Sequence, residues 1–495
     1  MYNILVTLVI LITLVKQEMA VALPDQHCTL QGSQLHSIYT CTLNRVDIGK
    51  NENKFYIIQL LSRNGSYYVW TRWGRVGIAG QSSLSSPGDE SSMTRQFRNV
   101  FKNKTGLDWD SKTNEPIPGH YTYMRLDAQN TTSSVSGQAV VSGVQGAQTT
   151  LALTDPNLDD RVAKVVHTIC DKQLMTQAMV SYSIDVQKLP LGKLSREQLD
   201  DADKILKAID DTLRSGNASK SHLEQLSSRF WTLVPQASKL TQRLPVISTL
   251  EEVHRWADIL DGLRNIQSAV GAMQSSTTLH QLYTSLGVDL SPCDASGKEM
   301  LQLMLHGTTS NHGMSLELQD AFVIDKKSQD AGDASRVFAS LADHRLLFHG
   351  TKSSNIAGIL KDGFRVPRPD QVVNGAALGR GIYYADCCTK SAQYCGLGNG
   401  DVGFMFVCEV ALGTKQVVHG AHFDSVRPPF QSRVAKGKMT VNYVEVDGIW
   451  YPSGPVLLKR TNEPTTFAHN EIVVNNVDQY RFRYLLVIKR CPARY

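Results

Sequence analysis

Three short segments in the last third of the chain carry side chains that could act together on a charged ring. They read FHGTK (Phe348–Lys352), GRGIYYADCCTKSAQY (Gly379–Tyr394) and NEIVVNN (Asn470–Asn476). Each lies where an apolar run meets glycine or polar residues, the kind of position that a sheet presents at its rim. Together they supply tyrosine faces, glycine backbone, hydroxyls and a carboxylate. This set suits a planar, cationic ligand that is joined to a sugar by a glycosidic bond.

The carboxylate has a specific use in such chemistry. A ring cation that leaves a ribose passes through an oxocarbenium-like state, whose positive charge a nearby glutamate stabilises. Glu471 is the candidate for that role. The nicotinamide of NAD+ is a ligand of this kind, so the residues favour cleavage of its bond to ribose.

Each residue also has an ordinary structural interpretation. His349 precedes Gly350 and could be a histidine of a turn. Tyr383 and Tyr384 could be one inward and one outward residue of a strand, and Glu471 could be a solvated charge at a strand end. Spacing alone does not decide between these interpretations and a binding site.

A chain of 495 residues with 42% hydrophobic content exceeds one core and should form two to four domains. From residue 28 to 125 the pattern is β-like, with aromatic and β-branched runs at 54–61 and 67–77. SRNGS between these runs is typical of a hairpin turn. Apolar residues at helical spacing around Phe97 predict one covering helix.

The composition and the apolar periodicity of the chain change in its middle part. Residues 127–156 are rich in Ser, Thr, Gly, Ala and Gln and read as a flexible linker. From residue 157 onward the apolar period becomes 3.6, which predicts a bundle of several helices. One of them should begin after the N-cap Ser195, with Gln198 three residues on, and end at Gly216.

After Thr277, strands and helices are mixed. Strand-like runs occur at RLLFHGT, GIYYAD, VGFMFVCEVALG, HNEIVVNN and YLLVIK, and helical phase occurs at GKEMLQLMLHGT and SSNIAGILKDGF. Clustered strands with few long helices between them predict an α+β domain and argue against a doubly wound parallel sheet. The predicted fold class is therefore multidomain α+β.

Charge and cysteine content restrict the function only mildly. The formal charge of +5 favours an anionic partner weakly, because positive charge must be clustered on one face to bind nucleic acid. The nine cysteines show no CxxC pair of the zinc type and are expected to be reduced thiols. Cys387, Cys388 and Cys395 have no histidine at local ligand spacing, so the sequence predicts no metal site.

The first residues of the chain resemble a targeting segment. Residues 4–15 form an apolar run that is followed by Lys16 and by AVA at residues 20–22, which resembles a secretory signal with a small-residue cleavage site. The run is too short to span a bilayer of about 30 Å. A hydrophobic strand, or a start codon placed too early, are the alternatives.

The three segments, in this order, resemble the His-Tyr-Glu signature of the poly(ADP-ribose) polymerases. LLFHGTKSSNIAGILKDGFR, LGRGIYYADCCTKSAQYC and HNEIVV match that family block by block. MVSYSIDVQKLPLGKLSREQL with SSRFWTLVPQ resembles the family's helical regulatory domain, and NKFYIIQLL through VWTRWGRVG resembles its WGR domain. The zinc fingers of the largest relatives are absent, so the chain is similar to the short, WGR-led members.

The resemblance implies a role for each site residue. His349 would bond the adenosine ribose, Gly350 and Ser391 would bind the nicotinamide amide, and Tyr394 and Tyr383 would enclose its ring. Glu471 would bind the nicotinamide ribose and orient the acceptor, which in this family accompanies chain elongation, with Lys390 beside it. Three further residues would complete the NAD+ site: Thr351, Asn355 and Arg365.

The WGR-like region has its own expected ligand. Lys54 and Arg75 offer charge-assisted bonds to phosphate, and Trp73 offers a flat face to a base or sugar at a broken DNA end. The alternative is that Trp73 packs on a strand and Arg75 is solvated. By resemblance, the helical region shields the NAD+ site until DNA binding loosens it.

The resemblance therefore implies a DNA-break-activated NAD+ ADP-ribosyltransferase that builds poly(ADP-ribose) on protein acceptors, itself included, and releases nicotinamide. NAD+ would be its substrate, and nuclear residence is expected, without stable membrane association. Whether an accessory factor completes the active site is left open by the sequence. A secreted transferase not controlled by DNA, and a DNA-binding scaffold with an inactive transferase fold, are the alternatives. The expected boundaries are a leader at 1–22, a WGR domain at 23–126, the linker at 127–156, the regulatory domain at 157–275 and the catalytic domain at 276–495.

Overall fold

The computed structural model describes residues 24–125, 155–182, 194–239, 241–310, 312–374, 376–458 and 464–492. The apolar run at 4–15 and nearly all of the predicted linker lie outside the described residues. The chain divides into two compact units, one made of residues 1–146 and 176–263 and the other of residues 147–175 and 264–495.

The described chain contains the following elements. The strands are β1 (Gln34–Asp47), β2 (Glu52–Arg63), β3 (Ser66–Arg75), β4 (Gln81–Leu84), β5 (Thr122–Tyr123), β6 (Asp289–Pro292), β7 (Met314–Asp325), β8 (His344–Gly350), β9 (Ile382–Tyr384), β10 (Val402–Ala411), β11 (Lys415–Val418), β12 (Ser432–Ala435), β13 (Met439–Val446), β14 (Ile449–Leu458), β15 (Glu471–Val474) and β16 (Tyr480–Pro492). The helices are α1 (Glu90–Thr105), α2 (Asp160–Ile169), α3 (Lys172–Ser181), α4 (Arg196–Arg214), α5 (Lys220–Leu233), α6 (Leu250–Gln274), α7 (Leu279–Ser285), α8 (Ala295–Gly307), α9 (Gly332–Ser340), α10 (Ile356–Asp362) and α11 (Cys388–Ala392).

The first unit is built on a five-stranded sheet in the order β4-β3-β2-β1-β5. Strands β2 and β3 form the predicted hairpin, and Asn64 and Gly65 at its tip both have positive φ, as a two-residue hairpin turn of this kind requires. Helix α1 covers the sheet through the fully buried rings of Phe97 and Phe101. The sheet with one covering helix is confirmed.

The helical region also follows its sequence pattern. Helix α4 begins after Ser195, whose hydroxyl accepts from Gln198 N at 3.1 Å, so the predicted N-cap is confirmed. The predicted helical region begins with two helices, α2 and α3. The first helix ends before Asp171, and the carboxylate of Asp171 accepts a hydrogen bond from Gln173 N at the start of the second helix.

The last part of the chain contains two sheets. A seven-stranded sheet has the order β13-β14-β8-β10-β16-β7-β6, and a four-stranded sheet has the order β11-β12-β15-β9. Most neighbours are antiparallel, with β14–β8 and β11–β12 as parallel pairs. The α+β fold class is confirmed. Among the described residues, no helix combines the length and apolar character needed to cross a bilayer.

Candidate active site

Three strands bring the predicted segments together at one place. Strand β8 is bridged to the end of β9 by two backbone hydrogen bonds between Phe348 and Ala385, at 2.8 and 3.1 Å. Strand β9 in turn pairs with β15, with Tyr383 opposite Val473. His349, Tyr383 and Glu471 therefore lie on adjoining strands, although more than thirty residues separate each from the next.

His349 is fixed by the backbone of its neighbour. Its Nδ1 lies 2.9 Å from the carbonyl oxygen of Tyr383, which can only accept, so Nδ1 carries the proton and donates. The ring also packs against Phe364, with 4.2 Å between ring centroids. The imidazole is therefore held in one tautomer and one orientation.

Gly350 stands where no other residue fits. A Cβ on Gly350 would lie 1.8 Å from the carbonyl oxygen of Ser391, far inside contact distance. The hydroxyl of Ser391 donates to the carbonyl of Phe348 at 3.1 Å, and this side chain is buried. The end of β8 and helix α11 are thus in direct backbone contact, which leaves Gly350 and Ser391 side by side.

The two tyrosines differ in how they are held. The phenol of Tyr383 donates to Gly379 O at 2.5 Å and accepts from Leu378 N at 3.0 Å. Burial raises the pKa of Tyr383, and the charge of Glu471 and the phenol of Tyr394 raise it further. Tyr394 itself is 61% exposed. The Tyr383 ring is therefore fixed and its phenol protonated, and the Tyr394 ring is exposed to solvent.

Glu471 is paired with a cation. Its Oε1 lies 2.5 Å from Nζ of Lys390, which helix α11 supplies, and Nζ also lies 3.4 Å from Asn470 O. Both side chains are partly buried, with 23% of Glu471 and 14% of Lys390 exposed. The pair fixes a carboxylate at the start of β15, close to Tyr383.

The other predicted NAD+ residues form separate contacts. Asn355 Nδ2 donates to Thr351 Oγ1 at 3.0 Å, which joins these two residues just after β8. Arg365 instead donates to Asn265 Oδ1 at 3.1 Å and to Asp362 Oδ2 at 3.2 Å. The guanidinium of Arg365 is thus held by a side chain from helix α6.

Asp386 was not singled out from the sequence, yet it organises the start of β15. It is fully buried, and one of its oxygens accepts from Asn470 Nδ2 at 2.7 Å and from the hydroxyl of Tyr443 at 2.9 Å. Asn470 in turn accepts from Gly437 N at 3.0 Å. Burial raises the pKa of the Asp386 carboxyl, and its two hydrogen-bond donors oppose that change. The residue before Glu471 is therefore anchored from two sides.

We expect Asp386→Ala to lower kcat about tenfold or more while KM for NAD+ changes little. The reason is that Asn470 and Tyr443 lose a buried acceptor, at a cost of roughly 1–3 kcal/mol each, so that Glu471 loses its fixed position. Steady-state kinetics with labelled NAD+ separate the two constants. Asp386→Asn, which keeps an acceptor oxygen, should recover part of kcat; an equal loss in both variants, or a change in KM alone, would exclude the positioning role.

The three predicted DNA contacts lie on the β2–β3 hairpin. Lys54 and Arg75 are paired across the hairpin, and Trp73 stacks on Tyr56 with 5.7 Å between centroids. Lys54 is 46% exposed and forms an ion pair with Glu52. Trp73 is partly buried against the sheet core.

Arg75 is bound within the protein. Its guanidinium donates to Asn51 O at 2.8 Å, Asn51 Oδ1 at 2.9 Å, Ser238 Oγ at 3.2 Å and Gln242 O at 2.8 Å. Ser238 and Gln242 follow helix α5, so Arg75 ties the sheet to the helical segment of the same unit. The sequence suggested that Arg75 contacts phosphate or is solvated. The contacts to Ser238 and Gln242 could not be predicted, because these residues are distant in sequence.

Comparison with known families agrees with this arrangement. The sequence model of the poly(ADP-ribose) polymerase catalytic domain matches residues 297–490, and that of the poly(ADP-ribose) polymerase regulatory domain matches residues 156–285. The model of the WGR domain matches residues 39–116. The three matches follow the order in which the sequence predicted these domains.

Whole proteins are similar over nearly the full chain. Poly(ADP-ribose) polymerase 2 of Zea mays is 31% identical over 478 residues, which cover 91% of this chain and 70% of that protein. Protein mono-ADP-ribosyltransferase PARP3 of Homo sapiens is 30% identical over 497 residues, which cover 94% of this chain and 91% of that protein. Poly(ADP-ribose) polymerase 1 of Gallus gallus is 30% identical over 471 residues, which cover 91% of this chain and 45% of that protein. The chain belongs to the poly(ADP-ribose) polymerase family, and its catalytic domain is that of an NAD+ ADP-ribosyltransferase.

Proposed function

We propose that the protein is a DNA-break-activated ADP-ribosyltransferase that builds poly(ADP-ribose) on protein acceptors, including itself, and releases nicotinamide. The observation that carries the proposal is the Lys390–Glu471 pair, which places a fixed carboxylate beside Tyr383 in a chain that also contains a WGR domain. We place the protein in the nucleus, in the response to DNA damage.

The NAD+ side of the proposal follows from what each residue can donate or accept. Gly350 lies against the backbone of Ser391. The Gly350 backbone and the Ser391 hydroxyl, which donates to Phe348 O in this structure, would bind the nicotinamide amide. Tyr383 would pack on one face of the ring, and the exposed Tyr394 would close on the other. His349, with its proton on Nδ1, would bond the adenosine ribose, and Thr351, Asn355 and Arg365 would line the rest of the NAD+ site.

Glu471 would act on the sugar. Its carboxylate would stabilise the oxocarbenium-like charge as nicotinamide leaves, bind the hydroxyl of the nicotinamide ribose and orient the acceptor. Lys390 would hold the carboxylate in place between turnovers. Repeated transfer to the ribose of an attached ADP-ribose unit elongates the product, so we expect polymer. PARP3 of Homo sapiens, by contrast, is named a mono-ADP-ribosyltransferase.

The DNA side rests on the β2–β3 hairpin. Lys54 would reach a phosphate, and Trp73 would present its ring edge or face to the sugar at a break. Because Arg75 already binds Ser238 and Gln242, a phosphate at this residue would compete with those contacts. Lys54, Trp73 and Arg75 together form the proposed DNA interface.

We propose that the helical region restrains the NAD+ site. The contact that supports this is the hydrogen bond from Arg365, a proposed NAD+ residue, to Asn265 of helix α6. DNA binding would then favour a form in which this contact opens. Hydrogen exchange in the described part of residues 157–274 should become faster when nicked DNA is added; unchanged exchange would count against the restraint.

The function is tested with the full chain, labelled NAD+, and 5′-phosphorylated nicked DNA. We expect a DNA-stimulated ladder of products, together with release of nicotinamide. Labelling of equal strength without DNA would favour a secreted transferase that DNA does not control. No labelling under either condition, with DNA still bound, would favour a scaffold with an inactive transferase fold.

The proposed domain boundaries stay as the sequence predicts them. They are residues 23–126 for the WGR domain, 157–275 for the regulatory domain and 276–495 for the catalytic domain. Limited proteolysis should cut first within the linker at 127–156, whose sequence is rich in Ser, Thr, Gly, Ala and Gln. No stable membrane association is proposed.

A further inference from the structure

Beside the Lys390–Glu471 pair lies a group of side chains that the proposed reaction does not use. His312 precedes β7, Cys387 precedes helix α11, and His469 precedes β15. One potential ligand atom from each of the three lies within 4.8 Å of the other two. We call this group the His-Cys-His cluster. Its members come from distant parts of the sequence, which is why local spacing predicts no metal site.

Hydroxyl groups hold the cluster in shape. Nδ1 of His312 lies 2.9 Å from Oγ1 of Thr389, and Nε2 of His469 lies 2.7 Å from Oγ of Ser310. Sγ of Cys387 lies 3.4 Å from the same Thr389 hydroxyl. Metal-binding histidines characteristically have one ring nitrogen hydrogen-bonded and use the other as ligand. Each ring of the cluster has such a hydrogen-bonded nitrogen.

The ligand types select the metal. Two imidazoles and one thiolate suit Zn2+, which takes nitrogen at about 2.0–2.1 Å and sulfur at about 2.3 Å in tetrahedral geometry. Tetrahedral nitrogen and sulfur atoms at those bond lengths lie about 3.3–3.6 Å apart. The ligand atoms of the cluster lie within 4.8 Å of one another, so side-chain rotation can bring them around the ion. The fourth position would be filled by water.

Protonation does not oppose binding by the rings. Burial lowers the pKa of His312 and lowers that of His469 to about 4, with the Lys390 cation adding to both changes. Both imidazoles are thus neutral at neutral pH, as a metal ligand must be. Burial raises the pKa of Cys387, so the thiol would lose its proton to solvent as the metal–sulfur bond forms.

We propose that His312, Cys387 and His469 bind one zinc ion, and that this ion inhibits transfer at Glu471. The inhibitory part rests on the proposed function. Cys387 leads directly into the helix that carries Lys390, and His469 lies two residues before Glu471. Contraction of the cluster would shift both members of the Lys390–Glu471 pair, and a second cation beside Lys390 would weaken its hold on the carboxylate.

Binding is tested first, with the full chain, after chelator treatment, and without NAD+. Titration with Co2+ should give a thiolate-to-metal charge-transfer band at one equivalent, which Zn2+ then abolishes. Cys387→Ser should remove the band, and His469→Gln should weaken binding at least tenfold. Cys491→Ser, which changes a partly exposed thiol outside the cluster, should leave the band unchanged. A band that persists in Cys387→Ser, or no band in the wild type, would overturn the site.

Inhibition is tested separately. Zn2+ at one equivalent should suppress labelling from NAD+ by the wild type at least tenfold, and a chelator should restore it. The variant His312→Gln should label normally and resist Zn2+. A Co2+ band without any effect on labelling would overturn the inhibitory part. A protein that binds Co2+ yet never labels, even after chelation, would show the failure of the proposed function and leave the metal site intact. Circular dichroism confirms that each variant is folded.

Discussion

Glu471→Gln is expected to abolish the polymer ladder and to lower the rate of nicotinamide release by about 100- to 1000-fold, the usual effect of removing one fixed electrostatic partner of a transition state. The amide has nearly the shape of the carboxylate, but it cannot balance the positive charge on the ribose or accept from Lys390 as an anion. Gel analysis of labelled products and a nicotinamide assay measure both effects.

Glu317→Gln is the matched control. Glu317 is an exposed carboxylate on strand β7 of the same domain, so its replacement should change neither the ladder nor the rate. A Glu471→Gln protein that still makes long polymer at a rate within a few-fold of the wild type would remove Glu471 from the mechanism.

Gly350→Ala is expected to lower NAD+ turnover about 100-fold and to destabilise the fold by roughly 1–3 kcal/mol. The added methyl group would have to displace the carbonyl of Ser391, which is backbone and cannot rotate away. Separation of β8 from helix α11 by about 1 Å moves Ser391, Lys390 and His349 relative to one another, and such displacements cost about 100-fold in rate. Turnover and thermal unfolding are the measurements.

Gly420→Ala provides the comparison for this variant. A Cβ at Gly420 would have no heavy atom within 4 Å, and the same methyl group should therefore leave turnover and stability nearly unchanged. If Gly350→Ala behaved like Gly420→Ala, the close contact between β8 and helix α11 would be wrong.

The sequence predicts those features that depend on neighbouring residues. The Asn64-Gly65 turn and the Ser195 N-cap are determined within a few residues, because each backbone conformation is selected by its own side chains. The mixture of short strands after residue 277 likewise indicates the α+β class. The break between α2 and α3 is not evident from periodicity, because the capping carboxylate of Asp171 lies inside a continuous apolar pattern.

Features that depend on long-range contacts could not be predicted in this way. The environment of Asp386 depends on Tyr443 and Asn470, and that of Arg75 depends on Ser238 and Gln242. The His-Cys-His cluster depends on strands and helices that meet only in the folded chain. For the proposed NAD+ residues, the resemblance to a family supplied the assignments.

Nicotinamide is expected to bind between Tyr383 and Tyr394, within reach of Glu471. A crystal structure of the protein soaked with nicotinamide tests it most directly. We predict a ring stacked on Tyr383, with its amide hydrogen-bonded to the backbone of Gly350 and to the Ser391 hydroxyl. A ring bound away from Tyr383, or an empty site at saturating nicotinamide, would contradict the account.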